Sequence, residues 1–436
     1  MEEEKYHKQA VEFYRAGAYE KSLEIAKEGL KSGQEKTKLL CDCGNASFML
    51  GNYAQAEDYY EKSLSEQTEN LSVQINYANA LFMQKKYRDA VHVCLKILDS
   101  FPKNTDVLLM LANIYLEQGQ IDSAENCLKI VLEQDSKQYW AWCYLSQCLQ
   151  KKERYKEALE SGYKAVLLSN GKEDIHINFM YTLYEILLEK DWNFIQEYAE
   201  KWLAEYSKNP LVSYAVSSLK NDKKILVSSP EYVQKIFDDF ADSFDESLAK
   251  LEYKSPEYIN SFIRKKYLFF WQKNLRILDL GCGTGLLGKY LQNYVGKGCL
   301  DGVDLSTQML EQARRKKFYD NLYGQDIIKH LQSSAKIYDL ITAADVLVYF
   351  GKVDSLFSEV SKSLKKGGRF VFTVSKNSCT QDDYFLHASG RFVHSKKYIE
   401  KVAQKTGFSV EYCQEKVMRK EAEKDVWGWL FSLRKK

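Results

Sequence analysis

The residues whose types and spacing best suit chemistry form a glycine-rich stretch, Ile-Leu-Asp-Leu-Gly-Cys-Gly-Thr-Gly-Leu-Leu-Gly, at residues 277–288. An apolar run that ends in Asp279 predicts a buried strand, and the alternate glycines predict a tight turn that opens a helix. Glycine accepts a left-handed backbone and lets a ligand lie against bare backbone. The stretch therefore predicts a nucleotide-type binding loop. Its expected contact residues are Gly281, Cys282, Gly283 and Gly285.

Two classes of cofactor fit this loop. Residues 283–288 satisfy the GxGxxG pattern of dinucleotide-binding proteins, which alone is a weak signal. The alternative pattern starts at Asp279, two residues before the first of three alternate glycines. A carboxylate at that point repels a pyrophosphate, whereas S-adenosylmethionine carries an ammonium and a sulfonium group and no phosphate. The charge therefore favours S-adenosylmethionine over NAD or FAD.

Strand and helix patterns alternate through the second half of the chain and predict a doubly wound, Rossmann-like parallel sheet. The second strand ends in Asp304, where a carboxylate can bind both ribose hydroxyls. The fourth strand leads into Asp345 and Tyr349. Ligands of open α/β sheets bind at the carboxyl ends of the strands, so this loop is expected to face the reacting group. Arg391 and His394 are expected near the same crevice by topology.

The first half of the chain carries an internal repeat with a period of 34 residues. Small residues recur in two registers, Ala10, Gly44, Ala78, Ala112, Ser146 and Ser22, Ala56, Ala90, Ala124, Ala158, and larger ones in a third, Tyr19, Tyr53, Tyr87, Ile121, Tyr155. Closely crossing helices need small residues at their contacts, so the pattern predicts tandem helix–turn–helix units. It resembles the tetratricopeptide repeat, with five units over residues 3–172 and a degenerate sixth unit and capping helix to about residue 220. The resemblance implies a concave groove for a protein or peptide.

A domain boundary is predicted at residues 222/223, followed by an amphipathic helix over residues 230–250 that carries Phe237, Phe240 and Phe244 on one face. The order of repeat array, FxxxFD helix, LDLGCGTG loop, AADVLVYFG loop, SGRFVHS segment and terminal GWLF strand resembles the predicted tetratricopeptide-repeat-containing methyltransferases. That resemblance implies a repeat superhelix over residues 1–222 and a class I methyltransferase domain over residues 223–436. The methyl acceptor of this group is unsettled.

The resemblance implies S-adenosyl-L-methionine as cofactor and a role for each matching residue. Asp326 would accept a hydrogen bond from the adenine amino group, and the 230–250 helix would cover the donor as a lid. The implied cofactor-binding set comprises the loop residues named above with Asp279, Asp304, Leu305, Met309, Asp326, Ile327, Ala344, Phe240 and Phe244. His394 is the predicted base, with Asp345 or Tyr349 as helper, while Arg391 and Tyr349 would bind the acceptor. The alternative for His394 is a capping or core histidine.

The bulk composition excludes several other classes. A net charge of +2 over 436 residues gives no reason to expect a nucleic acid partner, and no apolar run is long enough for a membrane span. Ten cysteines without CxxC pairs and six histidines favour a metal-free protein of a reducing compartment, hence the cytoplasm. Two alternatives stay open at this point: a non-catalytic scaffold that binds the donor and a protein partner, and an NAD-dependent oxidoreductase.

Overall fold

The computed structural model describes residues 5–33, 36–67, 70–267, 274–377, 382–421 and 424–436. The chain forms two compact units, Met1–Ile186 and Leu187–Lys436. The boundary predicted at 222/223 marks the end of the repeat pattern and stays a prediction. The helices between residues 187 and 222 group with the second unit by their contacts.

Helices that alternate with short turns make up the described part of the first unit. They are α1 Lys5–Arg15, α2 Tyr19–Lys31, α3 Lys36–Met49, α4 Tyr53–Glu66, α5 Leu71–Met83, α6 Tyr87–Ser100, α7 Thr105–Glu117, α8 Ile121–Gln134, α9 Tyr139–Lys151, α10 Tyr155–Leu168 and α11 Glu173–Glu189. The five residues of the third register each open the second helix of a pair. The ten small residues of the other two registers are buried. Tandem helical repeats are therefore confirmed.

Steric contacts explain why the small residues recur. A Cβ atom on Gly44 would lie 2.4 Å from Cε1 of Tyr60, so a larger residue would force the paired helices apart. The turn glycines Gly17 and Gly51 have φ values of +74° and +75°. Lys85 adopts the same left-handed conformation, with φ +60°, at the equivalent turn without a glycine. The turn is therefore fixed by the repeat geometry rather than by glycine alone.

The second unit begins with helices and continues into an α/β sheet. Its helices are α12 Trp192–Glu205, α13 Pro210–Leu219, α14 Pro230–Phe240, α15 Phe244–Lys250, α16 Ser255–Tyr267, α17 Gly288–Leu291, α18 Thr307–Lys316, α19 Ile327–Ser333, α20 Asp354–Ser363 and α21 Lys396–Lys405. Its strands are β1 Arg276–Leu280, β2 Cys299–Asp304, β3 Asn321–Gly324, β4 Tyr338–Ala343, β5 Leu364–Lys376, β6 Tyr384–Leu386, β7 Phe392–His394, β8 Phe408–Glu421 and β9 Lys424–Lys435. Two short 3-10 helices, Gln292–Tyr294 and Leu347–Tyr349, complete the described elements.

The sheet order is β3-β2-β1-β4-β5-β7-β6, and β9 pairs antiparallel with both β5 and β8. Strands β3, β2, β1, β4 and β5 are parallel. Because β1 pairs with β2 on one side and β4 on the other, the chain changes direction across the sheet at β1. Crevices at such switch points are where ligands of doubly wound sheets bind. The predicted fold class is confirmed, and it brings the glycine loop and the Asp345 loop together.

Hydrogen bonds tie α13 to the loop before β7. The Tyr214 hydroxyl donates to the carbonyl oxygen of Gly390 at 2.8 Å. The Ser228 hydroxyl lies 2.6 Å from the Tyr214 hydroxyl. The Tyr214 ring also packs on Tyr232, with ring centroids 4.2 Å apart. Since Tyr214 is 5% exposed, these bonds are shielded from water. Helix α13 therefore holds the backbone directly before Arg391.

Candidate active site

A cavity of about 150 Å³ opens at the carboxyl ends of β1, β2 and β4. Most of the residues predicted for the site line it. They are Asp279, Gly281, Cys282, Gly283, Asp304, Leu305, Met309, Asp326, Ile327, Ala344, Phe244, Asp345, Tyr349 and Arg391. Gly285, Phe240 and His394 were predicted for the site but are not in the lining. We call the part with Asp279, Asp304 and Asp326 the acidic end, and the part with Asp345, Tyr349 and Arg391 the arginine end.

The glycine loop takes left-handed backbone at all three alternate glycines, with φ values of +62°, +52° and +88° at Gly281, Gly283 and Gly285. A Cβ on Gly281 would lie 2.4 Å from a methyl group of Val346, so this position has no room for a side chain. A Cβ on Gly283 would approach only Phe244, at 3.8 Å, because this glycine faces the cavity. The loop thus presents bare backbone to a ligand.

Gly285 contributes to the loop in a different way from the prediction. A Cβ there would lie 3.1 Å from Cε2 of Tyr319, so the glycine leaves space for a tyrosine ring. The Tyr319 hydroxyl in turn donates to Asp279 at 2.7 Å, and Thr342 donates to the other oxygen at 2.7 Å. Burial raises the pKa of Asp279 to about 6. Gly285 therefore supports a buried carboxylate indirectly, through Tyr319, which no motif had indicated.

Asp304 connects the end of β2 to the glycine loop. Its Oδ2 accepts the backbone N–H of Gly283 at 2.8 Å, and its Oδ1 accepts that of Ser306 at 2.9 Å. Burial raises the pKa of this carboxyl from its usual value. Asp326 caps α19 by accepting the Lys329 N–H at 2.9 Å. Each carboxylate is therefore held in a fixed orientation, and its oxygens retain further lone pairs for a ligand.

The residues of the acidic end fit S-adenosylmethionine better than a dinucleotide. Three carboxylates lie beside exposed loop backbone, and Met309 and Ile327 add apolar surface that suits an adenine ring. Carboxylates attract the ammonium and sulfonium groups of this molecule and repel a pyrophosphate. Arg391, at the opposite end, is the single cationic side chain among the described lining residues.

The segment predicted as one lid helix forms two helices, α14 and α15, interrupted at residues 241–243. Phe237 and Phe244 line the cavity, with ring centroids 5.9 Å apart. Phe240 was predicted on the same face and in contact with the donor. It lies outside the lining, and its contact with the donor stays a prediction. Because α14 ends at Phe240, the helical periodicity does not continue to Phe244, and the Phe240 side chain is 36% exposed.

Aspartates fasten this segment to the acidic end. Asp238 accepts hydrogen bonds from the Ser306 hydroxyl at 2.6 Å and from the backbone of Gln308 at 3.3 Å. Asp245 accepts from the Thr284 hydroxyl of the glycine loop and pairs with Lys316. The segment is thus attached to both the glycine loop and α18.

The arginine end is built around Asp345, which is a left-handed residue with φ +61°. Such a conformation costs about 1–3 kcal/mol in a residue other than glycine and persists where its surroundings hold it. The Asp345 N–H donates to the Thr373 hydroxyl at 2.9 Å. Its Oδ2 accepts from Arg391 at 3.0 Å and from Arg419 at 3.2 Å. Arg419, on β8, is 4% exposed and was absent from the sequence prediction.

Tyr349 completes this end of the cavity. Burial raises the pKa of its hydroxyl, which is hydrogen-bonded to Arg391. Its ring meets Phe237 edge to face, with centroids 5.6 Å apart. Tyr349 is therefore a half-buried phenol that keeps its proton at neutral pH and can donate a hydrogen bond.

His394 is a core residue, which corrects its prediction as a base that faces the acceptor. Its side chain is fully buried, outside the cavity lining, and its Nε2–H donates to the carbonyl oxygens of Phe350 at 2.8 Å and Gly351 at 3.2 Å. Burial lowers the pKa of this imidazole to about 4. The ring therefore fixes the loop that follows Tyr349.

Among the described residues, no group of three histidine, cysteine or acidic side chains could hold a metal ion. Within the same part of the chain, every helix is too short or too polar to cross a membrane.

Comparison with known proteins agrees with this architecture. Residues 255–412 match a family model described as a methyltransferase domain, and residues 41–105 and 81–143 match tetratricopeptide repeat models. The chain carries a methyltransferase domain and tetratricopeptide repeats. The resemblance stated from the sequence is thereby confirmed for both halves.

Curated relatives include two methyltransferases. The chain is 28% identical over 172 residues to malonyl-[acyl-carrier protein] O-methyltransferase of Legionella pneumophila, and the alignment covers 38% of this chain and 58% of the relative. It is 26% identical over 148 residues to ubiquinone biosynthesis O-methyltransferase of Coxiella burnetii, which covers 32% of this chain and 61% of the relative. The chain therefore spans about three fifths of the length of these relatives. A solved S-adenosylmethionine-dependent methyltransferase from Clostridium acetobutylicum aligns with 44% of this chain and 98% of its own, at 23% identity and a TM-score of 0.34.

Proposed function

We propose that this protein is an S-adenosylmethionine-dependent methyltransferase whose repeat array recruits a protein partner or protein substrate. The observation that carries the proposal is the single cavity shared by the acidic end and the arginine end. The acidic end provides bare backbone and carboxylates for the donor, and the arginine end provides charged and phenolic groups for an acceptor. Methyl transfer requires both molecules in one water-poor site.

The chain's own residues have distinct tasks in this reaction. Asp304 fixes the glycine loop through the Gly283 N–H and is available to ribose hydroxyls. The lid segment, through Phe237 and Phe244, limits the access of water. The donor supplies an electrophilic methyl group, and the protein aligns the acceptor's lone pair with it.

The relatives support an oxygen atom as the acceptor. Both curated relatives cited above are O-methyltransferases by name. The repeats, in turn, support protein binding in general, because stacked helical repeats form extended concave surfaces. We also infer a cytoplasmic location, in accord with the nine free cysteines among the described residues.

Donor binding is tested by thermal unfolding with S-adenosylmethionine, S-adenosylhomocysteine and NAD. A ligand that binds the folded state at 100 times its Kd stabilises it by about 2.7 kcal/mol. We expect stabilisation by both adenosyl ligands and none by NAD. Stabilisation by NAD alone would favour an oxidoreductase and contradict the proposal.

Catalysis is tested separately, with tritiated methyl donor and a lysate as the source of acceptors. Transfer of label that requires the intact protein is expected, and a heat-treated sample is the control. Donor binding without any transfer of label would favour the non-catalytic scaffold.

A further inference from the structure

Arg391 is the only cationic side chain among the described residues that line the cavity. Its Nη1 lies 3.0 Å from Oδ2 of Asp345, and Arg419 binds the same oxygen at 3.2 Å. Arg419 is also paired with Glu421, whose Oε1 lies 2.7 Å from its Nη2. Asp345 is therefore shared between two guanidinium groups, and the forked donors of Arg391 suit a second carboxylate.

We infer that the methyl acceptor is a carboxylate on an apolar body, and that the product is its methyl ester. The inference rests on the proposed methyltransferase function and specifies its substrate class. Arg391 binds the acceptor carboxylate, with the Tyr349 hydroxyl as a second donor. Asp345 acts as a positioning residue because it holds Arg391 through an ion pair.

The surroundings of the three residues predicted as base or helper favour an acceptor that needs no base. The pKa of Tyr349 is raised, so its hydroxyl stays protonated. The Oδ2 of Asp345 already accepts two charge-assisted hydrogen bonds, and His394 is buried against backbone carbonyls. An alcohol or ammonium acceptor would have to lose a proton during transfer. A carboxylic acid is already ionised at neutral pH.

Much of the cavity wall is apolar. It includes Val233 and Phe237 of α14, Leu248 of α15, and Val346 and Phe350 of the loop after β4. Such a wall favours a hydrocarbon chain or ring over a polyhydroxylated or highly charged acceptor. The cationic group and the apolar wall together match an amphiphilic carboxylic acid.

The reaction balances without a proton acceptor. A carboxylate oxygen forms the new bond to the methyl carbon, and the bond from that carbon to sulfur breaks. The electron pair of the broken bond stays on sulfur, which becomes the neutral thioether of S-adenosylhomocysteine. The acceptor's negative charge and the sulfonium's positive charge cancel, so no proton is released.

A first experiment measures binding by calorimetry with the protein saturated in S-adenosylhomocysteine. The probes are octanoate, 1-octanol and octylamine, which share one chain and differ in the head group. We expect octanoate to bind at least tenfold more tightly than either of the others. Equal or tighter binding of the alcohol or the amine would overturn the inference. Failure to bind S-adenosylhomocysteine would instead contradict the proposed function itself.

Variants then assign the preference to one side chain. Arg391→Gln is expected to remove the tenfold preference for octanoate, and Arg391→Lys to restore part of it. Arg315→Gln is the matched control, because Arg315 is exposed on α18 and is not among the lining residues. Retained S-adenosylhomocysteine binding shows that each variant is folded. An unchanged preference in folded Arg391→Gln would overturn the assignment.

A second experiment covers acceptors of unknown size. Lysate is incubated with tritiated methyl donor and the full-length protein, and small molecules are separated from precipitated protein. Carboxylate methyl esters release volatile methanol in mild alkali, whereas ethers and methylamines retain the label. Alkali-labile label in the small-molecule fraction identifies a free acid, and in the protein fraction an acid carried by a protein. Alkali-stable label, or no label with the donor bound, would overturn the inference.

Discussion

The two ends of the cavity are built from different kinds of structure. At the acidic end, Asp279 and Asp304 stand at or near the tips of neighbouring parallel strands and are held by backbone or by buried hydroxyl groups. The arginine end brings together three distant parts of the chain, because Arg391 and Arg419 each form an ion pair with Asp345. The first is a local consequence of sheet topology, and the second depends on long-range packing. Substitutions at the acidic end should therefore alter the affinity for the donor. Substitutions at the arginine end should alter turnover.

The largest effect is expected from Asp304→Ala. The substitution removes the acceptor for the Gly283 and Ser306 N–H groups and leaves the loop without its anchor. With about 1.5–3 kcal/mol for each hydrogen bond to a charged group, affinity for S-adenosylhomocysteine should fall by about 100-fold or more. Calorimetry measures it. Asp239→Asn, an exposed change in α14, is the control and should keep the affinity.

Asp345→Asn separates the two ends. Asparagine tolerates the left-handed backbone but lacks the charge that holds Arg391. We expect turnover to fall by about tenfold, in line with about 1.4 kcal/mol for a misplaced binding group, with donor affinity unchanged. Steady-state kinetics at saturating donor and calorimetry measure the two quantities. A parallel loss of donor affinity would mean that the ends are not independent.

The acidic end should also give donor binding a pH dependence. Burial raises the pKa of Asp279 to about 6, and the ammonium group that S-adenosylmethionine and S-adenosylhomocysteine share favours the ionised carboxylate. Protonation of Asp279 as the pH falls from 7 to 5 should therefore lower the affinity for S-adenosylhomocysteine by about tenfold. Asp279→Asn should make the affinity less dependent on pH. Asp304, whose pKa is also raised, should still contribute a pH dependence of its own. A slope that is identical in both proteins would contradict the assignment to Asp279.

The smallest effect on catalysis is expected from His394→Gln. Turnover per folded molecule should stay within about twofold of the wild-type value, because the imidazole lies outside the cavity.

The same substitution should change how stability depends on pH. The folded pKa, about 4, lies below the ordinary 6.5, so the unfolded chain binds the proton first. Wild-type stability should therefore fall by up to about 3 kcal/mol as pH drops from 6.5 to 4, a loss that the variant lacks. A turnover loss in folded His394→Gln would restore it as a base.

The same contrast explains how far the sequence predicted this molecule. The repeat registers and the strand-tip acids follow short-range rules of period, turn and strand end. Accordingly β2 ends at Asp304, as its pattern predicted, and β1 leads directly into the glycine loop. Arg419 could not be anticipated in this way, because its partner Asp345 is brought close only by the pairing of β8 with β9 and of β9 with β5.

Two of the differences between prediction and structure have local causes. Phe240 was assigned to a continuous helix. The break at residues 241–243 contains no proline or glycine, so the sequence did not indicate it. His394 was assigned by its position near the crevice. Its side chain follows strand β7 into the core instead, where two carbonyl groups bind it. Successive side chains of a strand point to opposite faces of the sheet. A shift of one position therefore reverses which side chains face the ligand.

The bonds of Tyr214 bear on where this protein can be cut or recombined. A fragment that starts at residue 223 would lack the hydroxyl that binds Gly390, the residue before Arg391. A fragment that starts before α13, near residue 209, would retain it. The smallest fragment that keeps this hydrogen bond therefore includes α13. An exchange of repeat arrays between related proteins would preserve activity only if the incoming array carried its own final helix with an equivalent tyrosine.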